Sequence, residues 1–213
     1  MAGEPNPASR HIRRERSDVQ EHRRLLLAAA KRLFSSQGVE HTSMYAIARA
    51  AGVGQGTLYR RFAHKGELCQ ALIADDIEDF RTHAESLVTG SAAPADTMAR
   101  LDALLVALIQ LTEQHLPLFG VIEQTQTSPG RRPRPFQSPF HARLREWITS
   151  LLAEASATGE LAPMDIEYTA DAILAVVAPP VLGYQRLDRG YSQERIIAGL
   201  RRLFIEAPGL KPG

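Results

Sequence analysis

The chain has 213 residues, 44% hydrophobic and 23% charged, with one cysteine and a net charge of +1. That length buries one large core or two small ones, and a lone Cys69 excludes an intramolecular disulfide framework. No apolar run free of charge and proline is long enough to span a membrane, and the first residues carry Arg, Glu, Asn and Pro rather than an apolar secretory core, so a cytoplasmic protein is expected.

Residues 1–15 show little periodicity, and we expect a flexible basic arm over 1–19, with Arg10, Arg13, Arg14 and Arg16 close together. Such an arm fits a minor-groove contact and a solubilising tail equally well. A first helix is expected from Asp18 to Gln37, because Leu26, Ala29, Ala30, Leu33 and Phe34 recur at helical spacing and Gly38 ends it. Then come two short helices. Ser43 suits the N-cap of the first, Ile47, Ala48 and Ala51 form its apolar face, and Gly52 suits a turn with positive φ. The second, from Gln55 to Arg61, buries Leu58 and Phe62 and turns Gln55, Thr57, Tyr59, Arg60 and Arg61 outward.

That layout is the one needed to place a helix in the major groove of DNA. Gln55 and Thr57 are the expected base readers, Gln toward adenine and Thr through its hydroxyl and methyl, while Gly56 lets the backbone come close. Tyr59, Arg61 and Lys65 are expected phosphate contacts, and Ser43 and Tyr45 reach for the opposite backbone. Tyr59 also suits packing against the first helix, and Arg60 suits a solvated surface as well as a DNA contact. Gly54-Gln-Gly56 is no nucleotide loop, since no strand precedes it and the Walker lysine spacing is absent. The charge distribution agrees. Residues 1–65 hold 12 Lys/Arg against 5 Asp/Glu, and the remainder 13 against 19, a basic head on an acidic body.

Phe34-x-x-x-Gly38, then Thr42 through Phe62, then Lys65-x-x-Leu68 match a long and specific pattern. On these residues the segment from Leu25 to Leu72, about a quarter of the chain, resembles the TetR family of bacterial transcriptional repressors. One departure is Tyr45, where an arginine often stands, so a charged contact becomes a hydroxyl contact. The resemblance implies a homodimer that binds a palindromic operator on double-stranded DNA and releases it when a small molecule enters the C-terminal body. It also implies that base specificity lies around Gly54, Gln55, Thr57 and Arg60.

Beyond the head, one helix is expected from Lys65 through Leu87, on an apolar stripe of Leu68, Cys69, Leu72, Ile73, Ile77, Phe80, Ala84 and Leu87. Another carries Met98 to Leu111. Leu116–Ile122 is a short helix or turn, and residues 125–139 form a loop whose Arg131–Pro135 run reads as plain surface. Helices follow from Pro139 to Thr158, from Met164 to Leu187 with Pro179-Pro180 inside, and after a Ser192 cap. The proline pair marks a kink or a boundary between two helices.

We therefore expect an all-α protein of nine or ten helices. A DNA-binding domain spans 20–80, with its helix-turn-helix at 43–62, and a sensing and dimerisation bundle spans 81–213. Leu105, Leu108, Phe119, Phe140, Trp147, Tyr168, Val177 and Tyr184 are the candidate lining of a pocket for a largely apolar effector, though the same residues suit ordinary core. By the resemblance the last two helices form a four-helix dimer interface, with Ile196, Leu200, Leu203 and Phe204 as its candidates.

Enzymatic signatures are missing from the sequence. There is no HExxH and no Gly-x-Ser-x-Gly elbow. The closely spaced Asp75, Asp76, Glu78 and Asp79 point around a helix rather than toward one metal. No cofactor, metal or catalytic residue is expected. The rival readings are a nonspecific architectural DNA binder and an enzyme with an unrecognised site in the body.

Overall fold

The computed structural model describes residues 7–90, 96–126 and 138–206. Among them are eleven α-helices and no strand: α1 (Pro7–Gln37), α2 (Met44–Ala51), α3 (Gln55–Arg61), α4 (Lys65–Leu72), α5 (Ala74–Thr89), α6 (Thr97–Gln114), α7 (Leu116–Gln126), α8 (Pro139–Thr158), α9 (Ile166–Val176), α10 (Pro179–Gly183) and α11 (Gln193–Arg201). Two π-helical turns, Tyr184–Asp188 and Arg202–Glu206, extend α10 and α11.

Contacts divide the chain into two units, Met1–Leu72 with Val121–Gln126, and Ile73–Gly120 with Thr127–Gly213. The boundary thus lies at 72/73 rather than at 80/81, and the second half of α7 belongs to the head unit.

In the head unit, Leu26, Ala29 and Ala30 of α1 pack with Ile47, Ala48, Val53, Leu58, Phe62 and Leu68. Small residues at 29, 30 and 48 let the helices approach closely. The arm expected over 1–19 is instead helical from Pro7. Proline is favoured at a first helical position, and the Ala, Arg and Glu residues that follow are strong helix formers that need no apolar period. Residues 1–6 lie outside the described residues.

The body core runs from Phe80 through Leu200 and is almost wholly aliphatic. It includes Leu101, Leu104 and Ile109 of α6, Ile148, Leu151 and Leu152 of α8, and Ile173 of α9. Phe80 meets Phe140 and Trp147 edge-on, with ring centroids 5.8 and 6.4 Å apart. The expected cap at Ser192 is formed, and Asp96 and Ser138 cap α6 and α8 in the same way; each side chain accepts a backbone N–H of its own helix.

Two expected helices are each divided. The stripe from Lys65 to Leu87 breaks at Ile73, whose backbone (φ −102°, ψ 2°) leaves the helical region. Asp75 and Asp76 then sit in the first turn of α5, where carboxylates favour a new helix start. Both pieces bury their apolar side, each in the core of its own unit. Likewise Met164–Leu187 divides at Val177-Ala178, and Pro179 and Pro180 open α10 at a bend of 44°. The loop with Arg131–Pro135, and Phe136 with it, lies outside the described residues. No single described helix is long and apolar enough to cross a membrane.

Candidate nucleic-acid interface

Local capping builds the α2–turn–α3 segment. The Ser43 side chain accepts from the Ala46 N–H at 3.1 Å and starts α2. Gly52 takes the left-handed conformation (φ 66°, ψ 25°) that a Cβ would strain, and the Val53 N–H closes the turn onto Ala48 O at 3.0 Å. Gly54 then caps α3 through its backbone. Leu58, fully buried, and Phe62 anchor α3 to the head core.

With Leu58 inward, the opposite side of α3 is bare. Gln55, Gly56, Tyr59 and Arg60 are exposed, and Thr57 and Arg61 are half-buried. A Cβ added at Gly54 or Gly56 would meet no other atom within 4 Å, and neither residue has a positive φ. The fold itself thus does not require glycine at 54 or 56; a missing side chain there matters only to what approaches from outside. Tyr45 and Tyr59 are 58% and 52% exposed, so neither is a packing residue of the head core. The Ser43 oxygen is engaged in its cap, which leaves its O–H proton for an outside acceptor.

Lys65 is more engaged than its sequence suggests. Its ammonium donates to Val39 O at 2.8 Å and Glu40 O at 3.3 Å, which ties the start of α4 to the segment after α1. One of its three protons remains. Beside it lies a reciprocal cap that the sequence reading missed. The Glu67 N–H donates to His64 Nδ1 at 3.3 Å, while the Glu67 carboxylate accepts from the Ala63 N–H at 2.6 Å. The signal was a polar residue followed three positions later by Glu, with His in the place of Ser or Thr. Gly66 is tightly packed: a Cβ there would lie 1.9 Å from Thr125 Oγ1 on α7.

Cys69 is buried, and burial pushes its thiol up to about 11, so it stays protonated and inert at neutral pH. The four acidic residues after it diverge: Asp76 meets His115 Nε2 at 2.8 Å, and Glu78 meets Arg81 at 2.5 Å. Among the described residues no three His, Cys, Asp or Glu side chains are placed to share a metal ion.

The expected effector residues are divided between the body core and its surface. Leu105, Leu108, Trp147 and Val177 are core, Phe140 packs on that core, and Phe119 is half-buried on α7. Tyr168 and Tyr184 stand 74% and 54% exposed. Helical apolar spacing does not separate a cavity wall from a packed core, and aromatic side chains belong to both. The body carries open grooves instead. One of about 420 Å³ is lined by Glu85, Val88, Thr89, Arg143, Glu146, Trp147 and Ser150, and shares only Trp147 with the expected set. Another, of about 650 Å³, follows α11 past Ile197, Ala198 and Gly199.

The expected dimer residues also separate. Ile196 and Leu200 are buried in the body core and have little surface left for a partner, while Phe204 is half-buried against that core. Leu203 is 64% exposed. Exposed apolar side chains that the sequence reading passed over follow the proline pair: Val181 and Leu187, on either side of Tyr184.

The family profile described as "Bacterial regulatory proteins, tetR family" matches residues 26–72, from the second half of α1 to the end of α4. A curated HTH-type transcriptional regulator of Staphylococcus aureus is 33% identical over 191 residues, 90% of this chain and 96% of its own. A TetR/AcrR transcriptional regulator from Thermobifida fusca superposes with a TM-score of 0.64 at 20% identity, over 88% of this chain and 98% of that one. AibR, solved with isovaleryl coenzyme A and operator DNA, superposes with a TM-score of 0.57 at 22% identity, over 86% and 98%.

Proposed function

The chain belongs to the tetR family of bacterial regulatory proteins and is a DNA-binding transcriptional regulator; on that footing we propose that it is a dimeric cytoplasmic repressor of a palindromic operator, released by a small molecule. The observation that carries the DNA reading is the outward side of α3. Gln55, Gly56, Tyr59 and Arg60 are exposed on a helix whose inward residue is fully buried, and the glycine there answers to no contact within the chain. Gln55 and Thr57 reach base edges, with Gly56 at closest approach. Ser43, Tyr45, Tyr59, Arg61 and Lys65 hold the phosphates.

Dimerisation places two α3 helices on successive half-sites. The exposed Val181, Tyr184, Leu187 and Leu203 supply the apolar surface for it. An isologous interface through these residues would cover side chains that a monomer leaves in water.

A body of this fold in AibR accompanies a small molecule and an operator together, which supports the effector reading. The body core here is almost wholly aliphatic, so an effector entering between its helices is largely apolar. A ~100-fold preference of the effector for the non-DNA geometry supplies about 2.7 kcal/mol of coupling, and DNA weakens effector binding by the same factor.

Selection from a random duplex pool at physiological salt tests this reading. A palindromic consensus supports the specific dimeric regulator. Tight binding at low salt with no consensus would instead make the protein a nonspecific architectural binder.

A further inference from the structure

We infer that Arg60 reads a guanine in the operator and that Thr57 is the positioning residue that aims its guanidinium; the inference rests on α3 being the recognition helix. Successive helix residues are turned by about 100°. Leu58 is fully buried and marks the inward direction of α3. Gly56 and Arg60, two positions to either side of it, therefore both fall nearly opposite, one helical turn apart on a single line. Thr57 and Arg61 occupy one flank of that line, and Gln55 and Tyr59 the other.

A helix laid in the major groove meets the groove floor with the middle of its outward side and the two backbones with its flanks. Toward the C-terminal end of α3 the flanking Tyr59 and Arg61 thus face phosphates, and the central line faces base edges; in the first turn, where a groove-docked helix points its residues at the bases, Gln55 and Thr57 reach them from either side of that line. On that line Gly56 contributes no side chain, and nothing in the protein fills the space where its Cβ would be. Arg60 is the only side chain on the line.

Helical side chains lean toward the N-terminus of their helix. Arg60 accordingly reaches back over the bare first turn, and its Nη2 donates to Thr57 Oγ1 at 3.0 Å. That bond uses one of five guanidinium donors and leaves a planar fork free, with an N–H on each terminal nitrogen. Guanine O6 and N7 are the base-edge partners that fit such a fork. The Thr57 oxygen is engaged in holding Arg60, so its part in readout passes through Arg60, and its methyl is left for direct contact.

The test is the random-duplex selection repeated with full-length Arg60→Ala, Arg60→Gln, Thr57→Val and Thr57→Ser, each checked for an unchanged helical spectrum and melting curve. The wild type should select guanine at one position of each half-site. Arg60→Ala should erase that preference while the other positions hold, and the guanine operator should lose roughly 5- to 150-fold in affinity. Arg60→Gln should move the preference at the same position from guanine toward adenine, a change no phosphate contact produces. Thr57→Val keeps every charge and should weaken the same preference; Thr57→Ser, which keeps the hydroxyl, should restore it.

An unchanged consensus for Arg60→Ala, with all duplexes weakened alike, overturns the guanine reading and makes Arg60 a phosphate contact. Loss of guanine preference in Arg60→Ala but not in Thr57→Val overturns the positioning role of Thr57. Absence of any consensus in the wild type overturns the reading beneath both.

Discussion

The two units use their polar side chains differently. In the head unit, most polar bonds are local. Ser43 caps Ala46, Thr42 donates to Gly38 O, Glu67 and His64 cap α4 together, and Arg60 reaches Thr57, all within three or four residues. In the body, charges pair across distant helices. Arg100 is buried and bonds Glu154 and Val88 O, Arg145 bridges Glu167 and Asp171, Arg201 meets Asp102, and Arg186 meets Glu113. Charge in the body is mostly engaged in holding helices together. The outward side of α3 in the head carries charge and amide groups with nothing of comparable kind across from them. A charged surface on this molecule is thus a partner surface only where the fold leaves it unengaged.

The sharpest way to break the contrast is in the two cores. Leu104→Ala in α6 should cost about 2–5 kcal/mol in denaturant unfolding, since the side chain is fully buried among aliphatic neighbours. Leu58→Ala should cost a similar amount and also abolish operator binding, because it frees α3 from its anchor. A body variant that lost DNA binding as completely as the head variant, at temperatures where it stays folded, would dissolve the division of labour.

Gly66→Ala follows. Its new Cβ would lie 1.9 Å from Thr125 Oγ1 and 3.0 Å from Thr125 Cβ, so α4 or α7 must shift at a cost of about 1–3 kcal/mol. Thr125→Ala removes the nearer atom and should recover part of that loss in the double variant. If Gly66→Ala melted like the wild type, the packing of α7 on the first turn of α4 would be slack.

The contrast also explains what the sequence could say. Ser43, Gly52 and the α3 register were legible because each depends on residues within one helical turn. Helicity from Pro7 was not, because residues 7–18 are mostly polar and show no apolar period. The break at Ile73 was hidden by a stripe that both helices share. Body residues were hardest to assign: Ile196, Leu200 and Leu203 follow one helical pattern, at i, i+4 and i+7, yet two lie in the core and one in water. Periodicity shows that a side chain is apolar on one side of its helix, and pairings such as Arg100 with Glu154, 54 residues apart, decide what that side meets.

Capping offers a smaller effect of equal size in both units. Ser43→Ala in the head and Asp96→Ala in the body should each cost about 1 kcal/mol, since each side chain satisfies helix-start amides. Only Ser43→Ala should also weaken DNA binding, through loss of the O–H that the cap leaves free. Equal losses of operator affinity in the two variants would show that stability alone carries the effect.

Lys65→Met gives the finest division, because it keeps most of the apolar stem and removes the ammonium. Two of its protons are directed to Val39 O and Glu40 O, which makes it a structural tie within the head; the third is available to a phosphate. A structural tie predicts a lower melting temperature and an unchanged dependence of affinity on salt. A phosphate contact predicts that the slope of log K against log salt falls by about one unit, with every duplex weakened alike and the consensus preserved. Both changes are expected here, since the carbonyl bonds place the charge at the start of α4 without neutralising it. A lowered melting temperature with an unchanged slope would confine Lys65 to the fold and leave the phosphates to Tyr45, Tyr59 and Arg61.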